Sequence, residues 1–189
     1  TIGIFVVPIV IIALLIAFSG GDKAPSSLSR GGDYEKLAQE HAQGERFLDY
    51  INSAYDRLEN DEPADDVSAY LDLGFYKNEL MDIDGAIDAY LLGIEKFPTH
   101  EVMLSNLAHI YENKKDYTRA EKYYSQLIEV NPRNVRALVD LASMYRYYFE
   151  DKDDKIVQVV EVEGLAKNPN DPNLLIFLAN YYRYDVQDL

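Results

Sequence analysis

His41, His100 and His109 are the only imidazoles in the chain, and their placement argues against imidazole chemistry. They are scattered, form no H-x-x-x-H pair, and have no acidic ligand at a zinc-like spacing. The run Asp151-Lys-Asp-Asp154 supplies carboxylates. It lacks the glycine and the terminal glutamate of a calcium loop, and reads as a solvated turn. No glycine-rich phosphate cradle and no serine nucleophile elbow are present. With no cysteine, structural disulfides, thiolate ligands and a lipidated amino-terminal cysteine are excluded. No catalysis, no metal and no cofactor are expected of this chain. Its polar side chains are left with recognition.

The formal net charge is -15 and the isoelectric point about 4.5. Such a surface repels phosphates rather than releasing their counterions, so nucleic acid is not an expected partner. The acidity favours solubility and basic partners, and carries no information about fold. A length of 189 residues suits one domain with an appendage.

The elements that must position any recognition surface are clearest between Glu101 and Pro132. Leu104, Leu107, Ala108 and Tyr111 follow the i, i+3, i+4, i+7 spacing of one helical face. After the polar break 113–116, Tyr117, Ala120, Tyr124, Leu127 and Ile128 form a second face, and Pro132 closes the unit. Ala108 and Ala120 stand where the two helices must approach closely. This hairpin resembles the tetratricopeptide repeat (TPR), a helical hairpin of about 34 residues. A preceding unit starts near Val67, with Tyr70, Leu73, Gly74, Ala86, Tyr90, Gly93 and Pro98 in order and Asp82 or Asp84 as the cap of its second helix. It departs at Lys77, where an aromatic is usual. A third starts at Val135 after the cap Asn134, with Leu138, Leu141, Ala142 and Tyr145 in register. Its second half departs: residues 150–155 lengthen the turn and Pro169 arrives three residues late, so a splayed hairpin is expected. A last helix opens at Asp171-Pro172, and Leu175, Leu178, Ala179 and Tyr182 repeat the first-helix pattern as a cap on the solenoid, unless further chain follows.

The fold class expected is all-α: a TPR solenoid of about three repeats plus a capping helix, residues 67–189. Residues 33–66 form packing helices or a degenerate repeat, with Gly44 as a break and Phe47, Leu48, Ile51, Ala54, Tyr55 and Leu58 as a stripe. Residues 20–32 are a flexible Gly/Ser linker.

The resemblance also implies a concave surface built from the first helix of each hairpin. In this sequence it would carry Asn106, His109 and Asn113, then Arg136, Asp140, Ser143, Arg146 and Tyr147, then Phe177, Asn180, Arg183 and Tyr184. Tyr111, Tyr145 and Tyr182 would be core. Three arginines on an otherwise acidic protein suit a protein or peptide partner with an acidic or carboxy-terminal segment, unless they only neutralise neighbours such as Asp140. The Lys and Asn pattern of a chaperone-tail carboxylate clamp is not met. Ser105, His109, Val139 and Ser143 stand in its place.

Residues 1–19 form the remaining element. Ile2 to Phe18 carries no charge and, as a helix, would span about 25 Å, slightly short of the hydrocarbon core. Ile4, Phe5, Val7, Ile11, Leu14, Leu15 and Phe18 would face lipid or one another. A single-pass membrane anchor is the leading expectation, with the repeat domain on the exported side of a bacterial envelope. A cleaved signal peptide is one alternative, because Ala17-Phe18-Ser19 has a small-x-small form. The other is a homo-oligomeric extracellular filament, since an amino-terminal apolar helix resembles that of type IV pilins. The glutamate common near the start of pilin helices is here Phe5. The function expected is a membrane-anchored interaction scaffold, or alternatively a pilus-like filament subunit with repeats outside.

Overall fold

The computed structural model describes residues 28, 30, 33–59 and 63–186. The expected membrane or assembly helix and most of the linker lie outside the described residues. Among those described, no helix is long and apolar enough to cross a membrane. The described chain is all-helical. The helices run α1 Tyr34–Glu40, α2 Gly44–Glu59, α3 Pro63–Glu79, α4 Ile83–Lys96, α5 Glu101–Asn113, α6 Tyr117–Val130 and α7 Val135–Tyr148. Then come α8 Lys152–Ile156, a π-helix Val157–Gly164, the short α9 Leu165–Lys167, α10 Pro172–Tyr181 and a final π turn Tyr182–Val186.

The pairs α3–α4 and α5–α6 are hairpins packed face to face. Ala108 and Ala120 are wholly buried between α5 and α6, so the backbones approach closely there. In the first hairpin Gly74 has the same role, since a Cβ would meet the Tyr90 ring 2.3 Å away. At the α1–α2 break a Cβ on Gly44 would lie 1.7 Å from the Ala38 carbonyl oxygen, which explains a glycine there. Side chains cap the helices as expected: Asp82 accepts from the Gly85 amide, Asn134 from Ala137, and Asp171 from Asn173 and Leu174.

The first two hairpins turn in the same way. Met81 (φ 65°) and Lys115 (φ 61°) are left-handed, and the next residue, Asp82 or Asp116, sends its amide back to the Lys77 or Tyr111 carbonyl. The third hairpin lacks this turn. Phe149 is extended (φ -117°, ψ 139°), and Asp151 makes no side-chain cap. The segment read as a solvated turn, Asp151–Asp154, is instead largely helical, and the Asp153 carboxylate accepts from the Tyr181 hydroxyl. From Val157 onward the second arm of this hairpin continues as a π-helix, with wider turns than an α-helix.

Two further boundaries differ from the sequence reading. α3 begins at Pro63, so the expected junction between residues 66 and 67 falls inside a helix. Proline suits a first helical position, where its missing N–H is no loss. In α10 the buried stripe is Leu174, Phe177, Leu178 and Tyr181, one residue ahead of the expected Leu175, Leu178, Ala179 and Tyr182. The doublets Leu174-Leu175 and Tyr181-Tyr182 admit both registers. Burying Phe177 rather than Ala179 removes far more apolar surface from water, and places the Tyr181 hydroxyl on Asp153. Tyr182 is therefore exposed rather than core.

Lys77 replaces the tyrosine found at the end of α5 and α7, and it is the buried charged side chain among the described residues, 4% exposed. Its ammonium lies 4.5 Å from the Tyr34 ring centroid, 5.8 Å from that of Tyr55, and 3.4 Å from the Asp82 carboxylate. Burial pushes both tyrosine hydroxyls up to about 12, so the rings stay neutral and electron-rich against the cation. Lys77→Ala would leave Asp82 without its counter-ion. We expect a loss of about 3 kcal/mol of stability in urea unfolding, against less than about 0.5 kcal/mol for the exposed Lys36→Ala on α1.

Candidate partner-binding groove

The first helices of the three hairpins, α3, α5 and α7, line a cleft of about 510 Å³. Four of the expected residues meet there: Asn106, His109, Asn113 and Arg136. Sequence reasoning missed five others: Phe75, Asn78, Tyr90, Ser105 and Ile110. The register carried the signal for Phe75, which occupies in α3 the position of His109 in α5. The Tyr90 hydroxyl accepts from the Asn106 amide at 2.8 Å, fixing which way that amide points.

His109 bridges two repeats. Its Nδ1 lies 2.8 Å from the Ser105 carbonyl oxygen and its Nε2 lies 3.2 Å from Asp140 Oδ2. Both partners are acceptors, so serving both at once requires both ring nitrogens to be protonated. The ring also stands edge-on to Tyr124, with centroids 5.5 Å apart. The hydrogen bond to Asp140 outweighs burial and holds the imidazole above its ordinary 6.5. Burial pushes the Asp140 carboxyl up, but His109 and Arg136 together outweigh it and hold the group below 3.8. Arg136 Nε reaches the same oxygen at 3.3 Å while its side chain stays 81% exposed.

The remaining candidates separate. Ser143 is half-buried on α7 beyond Asp140. Arg146 is bound into the wall by Asp185 at 2.5 Å, and Lys152 holds the same carboxylate. Tyr147 and Tyr184 are exposed, each beneath a neighbouring guanidinium, Arg146 and Arg183 respectively. Asn180 and Arg183 are exposed. Phe177, expected on the groove, is instead core, because of the register of α10. That register puts the exposed Leu175 and Ile176 where α7 has Val139 and Asp140.

Comparison with known proteins agrees with this architecture. The profile of the tetratricopeptide repeat matches residues 102–134, that is α5, α6 and their turns. Tetratricopeptide repeat protein 8 of Caenorhabditis elegans is 29% identical over 62 residues, 33% of this chain and 12% of that protein. The chain thus matches only a small part of that relative. Residues 102–134 thus match a tetratricopeptide repeat, and the hairpins around them extend an all-α helical array.

The His109–Asp140 bridge has a defined pH dependence. A histidine whose folded pKa is raised contributes stability fully below its unfolded value near 6.5, and loses it as pH rises through the higher folded value. NMR titration of the His109 ring is expected to give a midpoint above 6.5, and Asp140→Asn to move it down. An unchanged midpoint in Asp140→Asn would exclude the bridge.

Proposed function

We propose that this chain is an interaction scaffold whose concave cleft holds an acidic segment of a partner protein. Arg136 carries the reading. It stands at the cleft, 81% exposed, held to Asp140 through Nε, and pairs with no second carboxylate among the described residues. A guanidinium so presented suits a carboxylate in a two-point contact. Asn78 and Asn113 add amide donors and acceptors for a peptide backbone on the same wall. His109, held above its ordinary pKa by Asp140, adds positive charge to the cleft as pH falls, and both of its nitrogens are occupied. Arg146 belongs to the framework, through Asp185.

We further propose that residues 1–19 tether this scaffold to a membrane, with the repeats on the exported side and residues 20–32 giving them reach. Seventeen uncharged residues from Ile2 to Phe18 support the tether. The same run supports the alternative of a filament built on packed amino-terminal helices.

Arg136→Glu is expected to weaken partner binding by about tenfold or more without lowering the unfolding midpoint. Arg146→Ala is expected to lower that midpoint. Partner retention by Arg136→Glu at wild-type level would refute the cleft as the binding site. For the tether, deletion of residues 1–20 should yield a monodisperse protein without detergent. Polymerisation of the full chain alone, abolished by Val10→Asp, would instead establish the filament.

A further inference from the structure

The two faces of the solenoid are not equally closed. Between α5 and α6, the Tyr111 ring is covered by Tyr123, stacked at 5.6 Å and 7° between ring planes. Tyr145 is the counterpart of Tyr111 one repeat later, and no aromatic of the π-helical arm covers it. The Lys155 ammonium lies over its ring at 4.8 Å instead, and pairs with Glu121 at 2.7 Å. The result is an open cleft of about 850 Å³ between α6 and the π-helix, with α7 as its floor. It lies on the side of the second helices, away from the groove around Arg136.

Its chemistry is mixed in an ordered way. Ile128, Leu141 and Val159 form an apolar bottom, and Val162 stands at the edge with 54% of its surface in water. Glu129 on α6 faces Asp154 and Glu163 on the opposite arm. Glu129 and Asp154 have no ion pair among the described residues. Lys155 is neutralised by Glu121, which leaves Lys167 at one end as the cleft's other cation. An apolar floor between acidic walls fits a helix with one apolar face flanked by lysine or arginine.

We propose that this cleft is a second docking site, separate from the concave groove, for a basic amphipathic segment of a protein partner. It arises because the third hairpin lacks the left-handed turn of the first two and the aromatic that covers Tyr111 in the second. The apolar floor supplies affinity and the carboxylates select the sign of the partner. An acidic partner segment is directed to Arg136 and a basic one to this cleft, so the two sites discriminate by charge.

The test uses the full chain and two fluorescein-labelled amphipathic helical peptides of about 15 residues. One is built of Leu and Lys, the other of Leu and Glu, and binding is followed by anisotropy. The Leu/Lys probe should bind, and Val162→Lys and Glu129→Lys should each raise its Kd about tenfold or more. Glu45→Lys, a charge reversal on the distant α2, and Arg136→Ala should each change it less than about twofold. Circular dichroism checks that the variants remain folded. Equal weakening by Glu45→Lys would reduce the effect to general charge attraction and overturn the site. Loss on Arg136→Ala would assign the probe to the concave groove instead. Weakening of the Leu/Glu probe by Glu129→Lys, or no binding of the Leu/Lys probe, would also overturn it.

Discussion

A buried tyrosine hydroxyl must find an acceptor, and in this solenoid that need sets how one hairpin sits on the next. Tyr145 at the end of α7 donates to Glu121 on α6 at 2.8 Å, and Tyr181 at the end of α10 donates to Asp153 on α8. Tyr124 on α6 donates to Glu112 on α5 at 2.7 Å. Burial, and then these carboxylates, push the hydroxyls far up, so they remain donors at any ordinary pH. A hairpin that slid by one residue would strand both partners at a cost of a few kcal/mol. Apolar packing alone would tolerate such a slip better, because neighbouring Leu and Ile side chains can trade places.

The same logic explains which parts of the fold were legible in the sequence. Where small and aromatic residues alternate without ambiguity, as at Ala108, Tyr111, Ala120 and Tyr124, the helical period fixes the face. The caps Asp82, Asn134 and Asp171 were legible because a short polar side chain before an apolar run has few other uses. The register of α10 was not, because Leu174-Leu175 and Tyr181-Tyr182 satisfy either choice locally. The deciding partner, Asp153, stands in a segment that reads as a solvated acidic turn. Periodicity sees neighbours three and four residues apart, not a carboxylate 28 residues away. Phe177 was placed on the groove for that reason, and Leu175 and Ile176 were not.

The electrostatics of the groove are similarly non-local. A net charge of -15 suggests a surface hostile to acidic ligands. Yet Asp140 is already engaged by His109 and Arg136, from α5 and α7, and Asp72 on α3 by Arg57. Carboxylates near the concave side are thereby held in ion pairs while Arg136 keeps its exposed end. Net charge is a property of the whole surface, whereas a partner meets the local field of the cleft, strongest within about 10 Å at ordinary salt. The acidic excess is left to act elsewhere, including along the walls beside the π-helix.

The groove also depends on the apolar core behind it, to which its lining residues Tyr90 and Ile110 belong. Two apolar clusters run through the molecule, one around Tyr34, Ile51 and Tyr55, the other from Tyr70 to Tyr181. The hairpin α3–α4 belongs to both: Ala69, Leu73 and Ala89 face the first, and Tyr70, Ala86 and Tyr90 the second. Lys77 sits within that shared hairpin, between the Tyr34 ring and Asp82, where the other repeats have a tyrosine. In a solenoid each unit is stabilised chiefly by its neighbours, so the first repeat depends on the cap beside it. Phe75 and Asn78, which line the cleft, flank Lys77 on α3, and Tyr90 positions Asn106 from the same hairpin. The α1–α2 cap therefore shapes the recognition surface at a distance, by holding still the helix that provides its first wall.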